Sequence, residues 1–277
     1  MRLGGPVFES YVTPEQWAAS ARRLGYRAVY CPLGVDTEDI EITAYRKAAQ
    51  EADLVIAEVG AWSNPLSPDE GVRSQALEYN KASLLLAEKI GARCCVNISG
   101  SRGAKWDGPS PLDLTEETFE RIVANVREII DSVRPRRAFY SLETMPWMYP
   151  DSTESYLRLV KAIDRPAFGV HFDPVNLVCS PQRYFNNAAL VREFVAQLGK
   201  WIQSVHLKDI ILRDQLTTHL DEARPGLGGL DYGALLTALA PLGPDLPVML
   251  EHLPSAEEYL QAAEAVRGAA ARVGVSL

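Results

Sequence analysis

Apolar positions along the chain fall into two alternating patterns. Short apolar runs with few central charges lie at Arg2–Val7, Ala28–Leu33, Leu54–Ala61, Cys94–Ser99, Ala138–Glu143, Phe168–Phe172, Ile202–Leu207 and Pro247–His252. Most are rich in Val, Ile, Phe or Cys, as expected for strands buried on both faces. Between them the period lengthens to that of a helix. Over Thr115–Ser132, Phe119, Ile122, Val123, Val126, Ile129 and Ile130 form one apolar stripe. Thr13 with Gln16 and Ser255 with Glu258 have capping-box spacing, and Pro14 fits the first helical position. Gly25, Gly91 and Gly199 stand where helices should end.

The count is eight strand–helix units. Strict alternation implies a parallel sheet with helices outside it, and eight units in roughly 250 residues is the size of a (β/α)8 TIM barrel. We therefore expect a single α/β domain over residues 1–277. A doubly wound open sheet is the runner-up. It loses support in its nucleotide-binding forms, because neither a G-x-G-x-x-G after the first strand nor a P-loop occurs. Gly100–Pro111 reads as a loop overhanging the mouth of the barrel rather than as a linker.

Composition narrows the class. Of 277 residues, 47% are hydrophobic and 23% charged, which excludes disorder and gives enough apolar mass for a large core. The net charge of −8 argues against a general nucleic-acid binder. Cys31, Cys94, Cys95 and Cys179 include no CxxC pair, so they read as small buried residues in a reducing cytoplasm rather than as zinc or disulfide ligands. There is no signal-peptide pattern and no apolar run near the roughly 18 residues a membrane span needs.

In a TIM barrel, chemistry collects at the C-terminal ends of the strands. The third strand is read as ending at Glu58, the fourth at Asn97, the fifth at Glu143, the sixth at Asp173, the seventh at His206 and the eighth at Glu251. The last four are carboxylate, carboxylate, imidazole and carboxylate, each directly after an apolar stretch. Converging in one cavity, they would repel each other without a cation. A mostly oxygen donor set with one nitrogen suits a divalent ion, manganese foremost, with magnesium, cobalt or zinc as alternatives. Taken singly, each residue could merely close its strand with a hydrogen bond; four at one depth on consecutive strands favour a site.

The segments YSLETMPW, GVHFDPVNL, SVHLKDI, RPGLGGLDY and VMLEHL resemble the xylose-isomerase-like TIM-barrel superfamily of sugar phosphate isomerases and epimerases. The resemblance covers essentially the whole chain and is strongest from Glu143 to His252. It implies one divalent metal held by Glu143, Asp173, His206 and Glu251. It also implies a metal-chelated sugar carbonyl and an enediolate, with Glu143 and Glu251 as the catalytic pair that removes and returns a proton. The expected activity is thus sugar isomerisation or epimerisation on a small-molecule sugar or sugar derivative, in a homo-oligomer by analogy.

Departures and neighbours add substrate-binding candidates. Asn176 stands where many ketose epimerases of this superfamily carry a histidine; an amide can donate a hydrogen bond but cannot shuttle a proton at neutral pH. His171 shares a strand face with Asp173 and is read as supporting or merely packed. Lys208 shares a face with His206 and is read either as an oxyanion binder or as a partner of Asp209 or Glu222. Glu58, Asn97, Trp62, Trp147 and Glu222 complete the set, with Tyr149, Arg102 and Arg183 nearby; loop anchoring is weighed equally for the aromatic residues. The glycine-rich loop at Gly226, Gly228 and Gly229 is read as a turn rather than a phosphate cradle, and Asp231 as a helix cap. Within the resemblance, a lyase or dehydratase acting on oxo-sugars or 3-oxo-glycosides, carbon-linked ones included, is the alternative. An apurinic endonuclease is disfavoured, since its extra histidines are missing before His171. A non-catalytic sugar-binding barrel leaves the facing glutamates unexplained.

Overall fold

The computed structural model describes residues 1–277. Eight parallel strands close a barrel: β1 (Arg2–Gly5), β2 (Ala28–Tyr30), β3 (Val55–Gly60), β4 (Cys94–Asn97), β5 (Phe139–Glu143), β6 (Phe168–Phe172), β7 (Ile202–Leu207) and β10 (Pro247–Leu250). Neighbours follow chain order, and β1 meets β10 with Leu3 opposite Val248. All eight anticipated strands are present, most of them shorter than read because the runs continue into the loops. The closed barrel excludes the open sheet.

The helices are α1 (Pro14–Arg23), α2 (Asp39–Glu51), α3 (Glu70–Ile90), α4 (Glu116–Val133), α5 (Thr153–Ile163), α6 (Pro181–Phe185), α7 (Asn187–Leu198), α8 (Tyr232–Leu239) and α9 (Ala256–Arg272). Helix α4 buries Phe119, Ile122, Val126, Ile129 and Ile130 as the stripe requires. The caps are looser than expected. Thr13 and Ser255 each accept one backbone N–H, and Gln16 reaches back to Val12 rather than to the cap residue. Gly25 and Gly91 are left-handed at φ +74° and +80°, but Gly199 is right-handed and continues into a short 3-10 turn. No helix is long and apolar enough to cross a membrane.

The main core lies between the barrel wall and the helices. Inside the barrel, a small cluster of Ala28, Ala57 and Met249 closes the floor. Gly4 must be glycine here: a Cβ would come 2.4 Å from the Ala28 carbonyl oxygen and 2.6 Å from Met249 Sδ. The residues above this floor form the site.

Beyond a register shift between β6 and β7 and the short helix α6, two unanticipated features bear on the site. Asp209–Arg213 (β8) and His219–Ala223 (β9) form an antiparallel hairpin above β7. In addition, the register shifts between β2 and β3, pairing Val29 with Ile56 but Tyr30 with Glu58, so Ala57 is an inserted bulge residue.

Candidate metal centre

Period-two alternation carries side chains from the strands into the barrel. On β5 it turns Ser141 and Glu143 inward, and on β6 His171, with Asp173 just beyond the strand. On β7 it turns Ser204 and His206 inward, with Lys208 following. Donor atoms of Glu143, Asp173, His206 and Glu251 lie within 4.8 Å of one another. His206 Nδ1 is 2.9 Å from Glu251 Oε1 and 3.3 Å from Glu143 Oε1. The four come from β5, β6, β7 and β10, and all are buried or nearly so.

Backbone contacts hold the carboxylates in place. Asp173 Oδ1 accepts the N–H groups of Val175 and Asn176 at 2.9 and 3.2 Å. Thr144 Oγ1 donates to the Asp173 carbonyl and accepts its N–H, tying the end of β5 to that of β6. Asp173 Oδ2 and Glu251 Oε1 are buried and accept no well-aligned hydrogen bond. Both face cationic nitrogens instead, Lys208 Nζ and, for Glu251, His206 Nδ1, and oxygens gathered this way suit a divalent cation.

Lys208 lies inside this cluster. Its Nζ is 2.5 Å from Glu251 Oε1, 2.8 Å from Asp173 Oδ2, 3.6 Å from Glu222 Oε2 and 3.8 Å from Glu143 Oε1. Its main partners are therefore the metal-ligand candidates themselves, not Asp209. Asp209 instead accepts the N–H groups of Gly226, Gly228 and Leu230, so those loop amides are not free to cradle a phosphate. Asp231 caps α8 through the Ala234 N–H.

The electrostatics reflect crowded negative charge. Burial works against a charged His206 ring, but Glu251, Glu58 and Glu143 outweigh it and push its pKa well above the ordinary value. Burial likewise opposes the charge on Lys208, and Asp173, Glu251 and Glu143 overcome it. Burial, with Glu143 and Glu251 nearby, raises Asp173 to about 7 against the pull of Lys208. Two cationic groups do not neutralise all the carboxylates gathered here, so one carboxyl takes up a proton more readily than usual.

Three candidate substrate contacts are placed elsewhere. Glu58 is mid-strand rather than at a strand end, and its side chain is only 2% exposed. The bulge at Ala57 turns it into the barrel, beneath His206. His171 is fully buried and bonded to Glu58, below the mouth. Asn97 faces the helix layer, where it binds Asn80 Oδ1 and the Ser63 backbone and anchors the loop after β3. Glu58 and His171 thus sit beneath His206, and Asn97 against α3.

The others stand nearer the opening. Asn176 Nδ2 donates to Glu143 Oε1 at 3.2 Å and to the Thr144 carbonyl at 3.0 Å. Trp62 is partly exposed over Gly60, where a Cβ would meet its indole nitrogen at 2.4 Å. Trp147 is partly exposed but donates Nε1–H to the Asp107 carbonyl, and Tyr149 donates to that of Leu114, so both anchor the loop after β5. Arg102 and Arg183 are engaged by Glu117 and by the Leu177 carbonyl. Hairpin β8–β9 delivers Glu222 to the rim, 3.2 Å from His252 Nδ1. Sequence reading passed over Ser204, which donates to Glu58 Oε2 at 2.9 Å. The alternation that paired His206 with Lys208 would have found it.

No curated protein sequence matches this chain. Among solved structures it resembles D-psicose 3-epimerase with D-tagatose from Clostridium cellulolyticum H10, with 16% identity, all of both chains covered and a TM-score of 0.72. It also resembles the probable 3-DHS dehydratase from Bacillus anthracis, at 15% identity over 96% of this chain and 98% of that one, TM-score 0.70. A third is a xylose isomerase-like TIM-barrel protein from Mycobacterium smegmatis in complex with magnesium, at 16% identity over 98% and 96%, TM-score 0.68. At such identities the likeness shows the fold. The family model described as xylose isomerase-like TIM barrel matches residues 18–269, and the chain belongs to that family.

Proposed function

We propose that this protein is a divalent-metal-dependent sugar isomerase or epimerase, with Glu143, Asp173, His206 and Glu251 as its metal ligands. The observation carrying this reading is the convergence of those four donor sets, whose buried oxygens Asp173 Oδ2 and Glu251 Oε1 are met only by the ammonium of Lys208 and the ring of His206, both cationic groups. Manganese is the foremost candidate, since three carboxylates and one imidazole suit an ion that favours oxygen. When bound, the cation supplies a Lewis acid against a sugar carbonyl and the hydroxyl beside it.

The remaining work falls to the chain's own groups. Glu143 and Glu251 reach the cavity from the ends of β5 and β10, with β6 and β7 between them. One takes the proton from the carbon next to the carbonyl and the other returns one. Asn176 holds Glu143 Oε1 through its amide, fixing that carboxylate without competing for the proton. Lys208, when displaced from Asp173 and Glu251, offers a positive charge to a substrate oxygen.

Solvent-deuterium exchange tests the reading. With Mn2+, a panel of ketoses and oxo-sugars should include one that incorporates deuterium at the carbon beside its carbonyl, and EDTA should stop it. A chain that binds no divalent ion under these conditions sinks it. Asn176, in place of a histidine, also leaves room for a lyase, including one acting on 3-oxo-glycosides; release of a leaving group in the same panel identifies that outcome. The four unpaired cysteines fit a cytoplasmic setting. The expected homo-oligomer is checked by light scattering.

A further inference from the structure

Below the four candidate ligands lies a second buried cluster that the proposed chemistry does not use: Glu58, His171 and Ser204, meeting the lower edge of His206. Glu58 Oε1 lies 3.0 Å from His206 Nε2. Its Oε2 lies 2.9 Å from His171 Nε2 and accepts the Ser204 hydroxyl at 2.9 Å. The two imidazole rings stand edge to face, 4.1 Å apart.

We propose, resting on the metal-binding reading above, that Glu58 is a positioning residue: held by His171 and Ser204, it fixes His206 with a proton on Nε2, so that Nδ1 presents its lone pair to the cation. A carboxylate only accepts hydrogen bonds, so each ring nitrogen facing Glu58 carries the proton. His206 Nδ1 faces Glu143 and Glu251, which also only accept, so a cation seated among these carboxylates would take the place of the Nδ1 proton and make Nδ1 the ligand atom. His171 Nδ1 is buried with no partner. With Oε2 held by His171 and Ser204, Glu58 directs its other oxygen, Oε1, at His206. A ligating histidine whose other N–H meets a carboxylate is both oriented and made a stronger donor.

The same three groups, Glu58, His171 and His206, could be taken for a second metal site, since their donor atoms also converge. Both Glu58 oxygens already receive hydrogen bonds, however, and both Nε2 atoms are spent on them. The geometry is that of a closed hydrogen-bonded support.

The test is the Glu58→Gln variant. Glutamine keeps the size and one acceptor but loses the charge and turns an N–H2 toward its neighbours. Free Mn2+ would be followed by electron paramagnetic resonance in titrations of wild type and variant, with circular dichroism as the check on folding. Wild type should bind one ion per chain, and the folded variant should bind it roughly 10–100-fold more weakly. In 15N-histidine spectra of the Mg2+-loaded wild type, His206 should show a protonated Nε2 and a coordination shift at Nδ1. The spectra decide the matter if the variant does not fold. Variant affinity within about threefold of wild type, where a roughly tenfold or greater loss is expected, overturns the proposal. So do coordination through Nε2 and two ions per chain. A wild type that binds no ion overturns the metal reading itself, a result distinct from binding that ignores Glu58.

Discussion

Lys208 shows how much one residue can change the character of a site. Its side chain is 2% exposed and its ammonium lies between Asp173 and Glu251. In the metal-free protein it is the principal counter-charge to the ligand carboxylates. Removing one partner of a buried ion pair costs about 3–5 kcal/mol. Lys208→Met should therefore melt earlier than wild type without metal, yet bind Mn2+ more tightly, because a competing cation is gone. Thermal melts with and without Mn2+ check both signs; a variant weakened in both respects would mean that Lys208 does not compete with the ion. Glu143→Gln should abolish turnover while the circular dichroism spectrum and melting temperature stay near those of wild type. Normal turnover by that variant would remove Glu143 from the chemistry. The sequence brought Glu143, Asp173, His206 and Glu251 into view, because a charged group ending an apolar strand is conspicuous. It set Glu58 at a strand end, whereas Glu58 lies mid-strand beneath His206, and nothing local to residue 58 signals the bulge at residue 57 that turns it inward. Simple alternation from Val55 would turn Glu58 out of the barrel, yet it faces His206.

At the scale of elements, the eight barrel strands were legible because they are buried on both faces and read as short, mostly apolar runs between helical patterns. Hairpin β8–β9 was not, since its strands are short, half-exposed and charged, and the segment reads as a loop. Its placement over the mouth depends on Asp209 gathering the N–H groups of Gly226, Gly228 and Leu230. A comparable junction ties α3 to the start of β5. The Glu88 carboxylate accepts the N–H groups of Arg136, Arg137 and Ala138 at 2.9–3.1 Å, and its side chain is 18% exposed. Burial alone would raise its pKa. The three backbone donors and Arg137 outweigh burial and hold the pKa below the ordinary value of 4.5. The stability it contributes is thus fully present above about pH 4.5 and is lost as the pH falls through the lower folded-state value. Glu88→Gln should cost about 2 kcal/mol at neutral pH, as expected for hydrogen bonds to a charged group, and should flatten the acid limb of the stability–pH curve. An unchanged acid limb in urea titrations at pH 3–6 would show that Glu88 is not the group responsible.

For the whole molecule, the barrel carries a cost that a cation would relieve. Three ligand carboxylates converge above Glu58, with only His206 and Lys208 among them as cations. A ligand that binds only the folded chain stabilises it by about 2.7 kcal/mol at a hundredfold excess over its Kd. For a domain of this size Mn2+ should therefore raise the melting temperature by roughly 5–10 °C. EDTA should reverse the shift, and Na+ at equal ionic strength should not reproduce it. Equal shifts with both salts would reduce the effect to screening.

By itself the sequence determined the parallel barrel, through runs of apolar residues long enough to be strands and doubly buried. It also brought out Glu143, Asp173, His206 and Glu251 at or near the ends of their strands, because each follows an apolar run, although the same reading set Glu58 at a strand end when it lies mid-strand. Tertiary structure alone decided how those residues divide their work. Which carboxylate oxygens converge, which nitrogen of His206 faces Glu58, and the position of Lys208 among the carboxylates are all contacts between strands far apart in the chain. They depend on closure of the barrel and on a one-residue bulge in β3. A strand's residue pattern records which face its own side chains take, but not what the opposite wall brings to meet them.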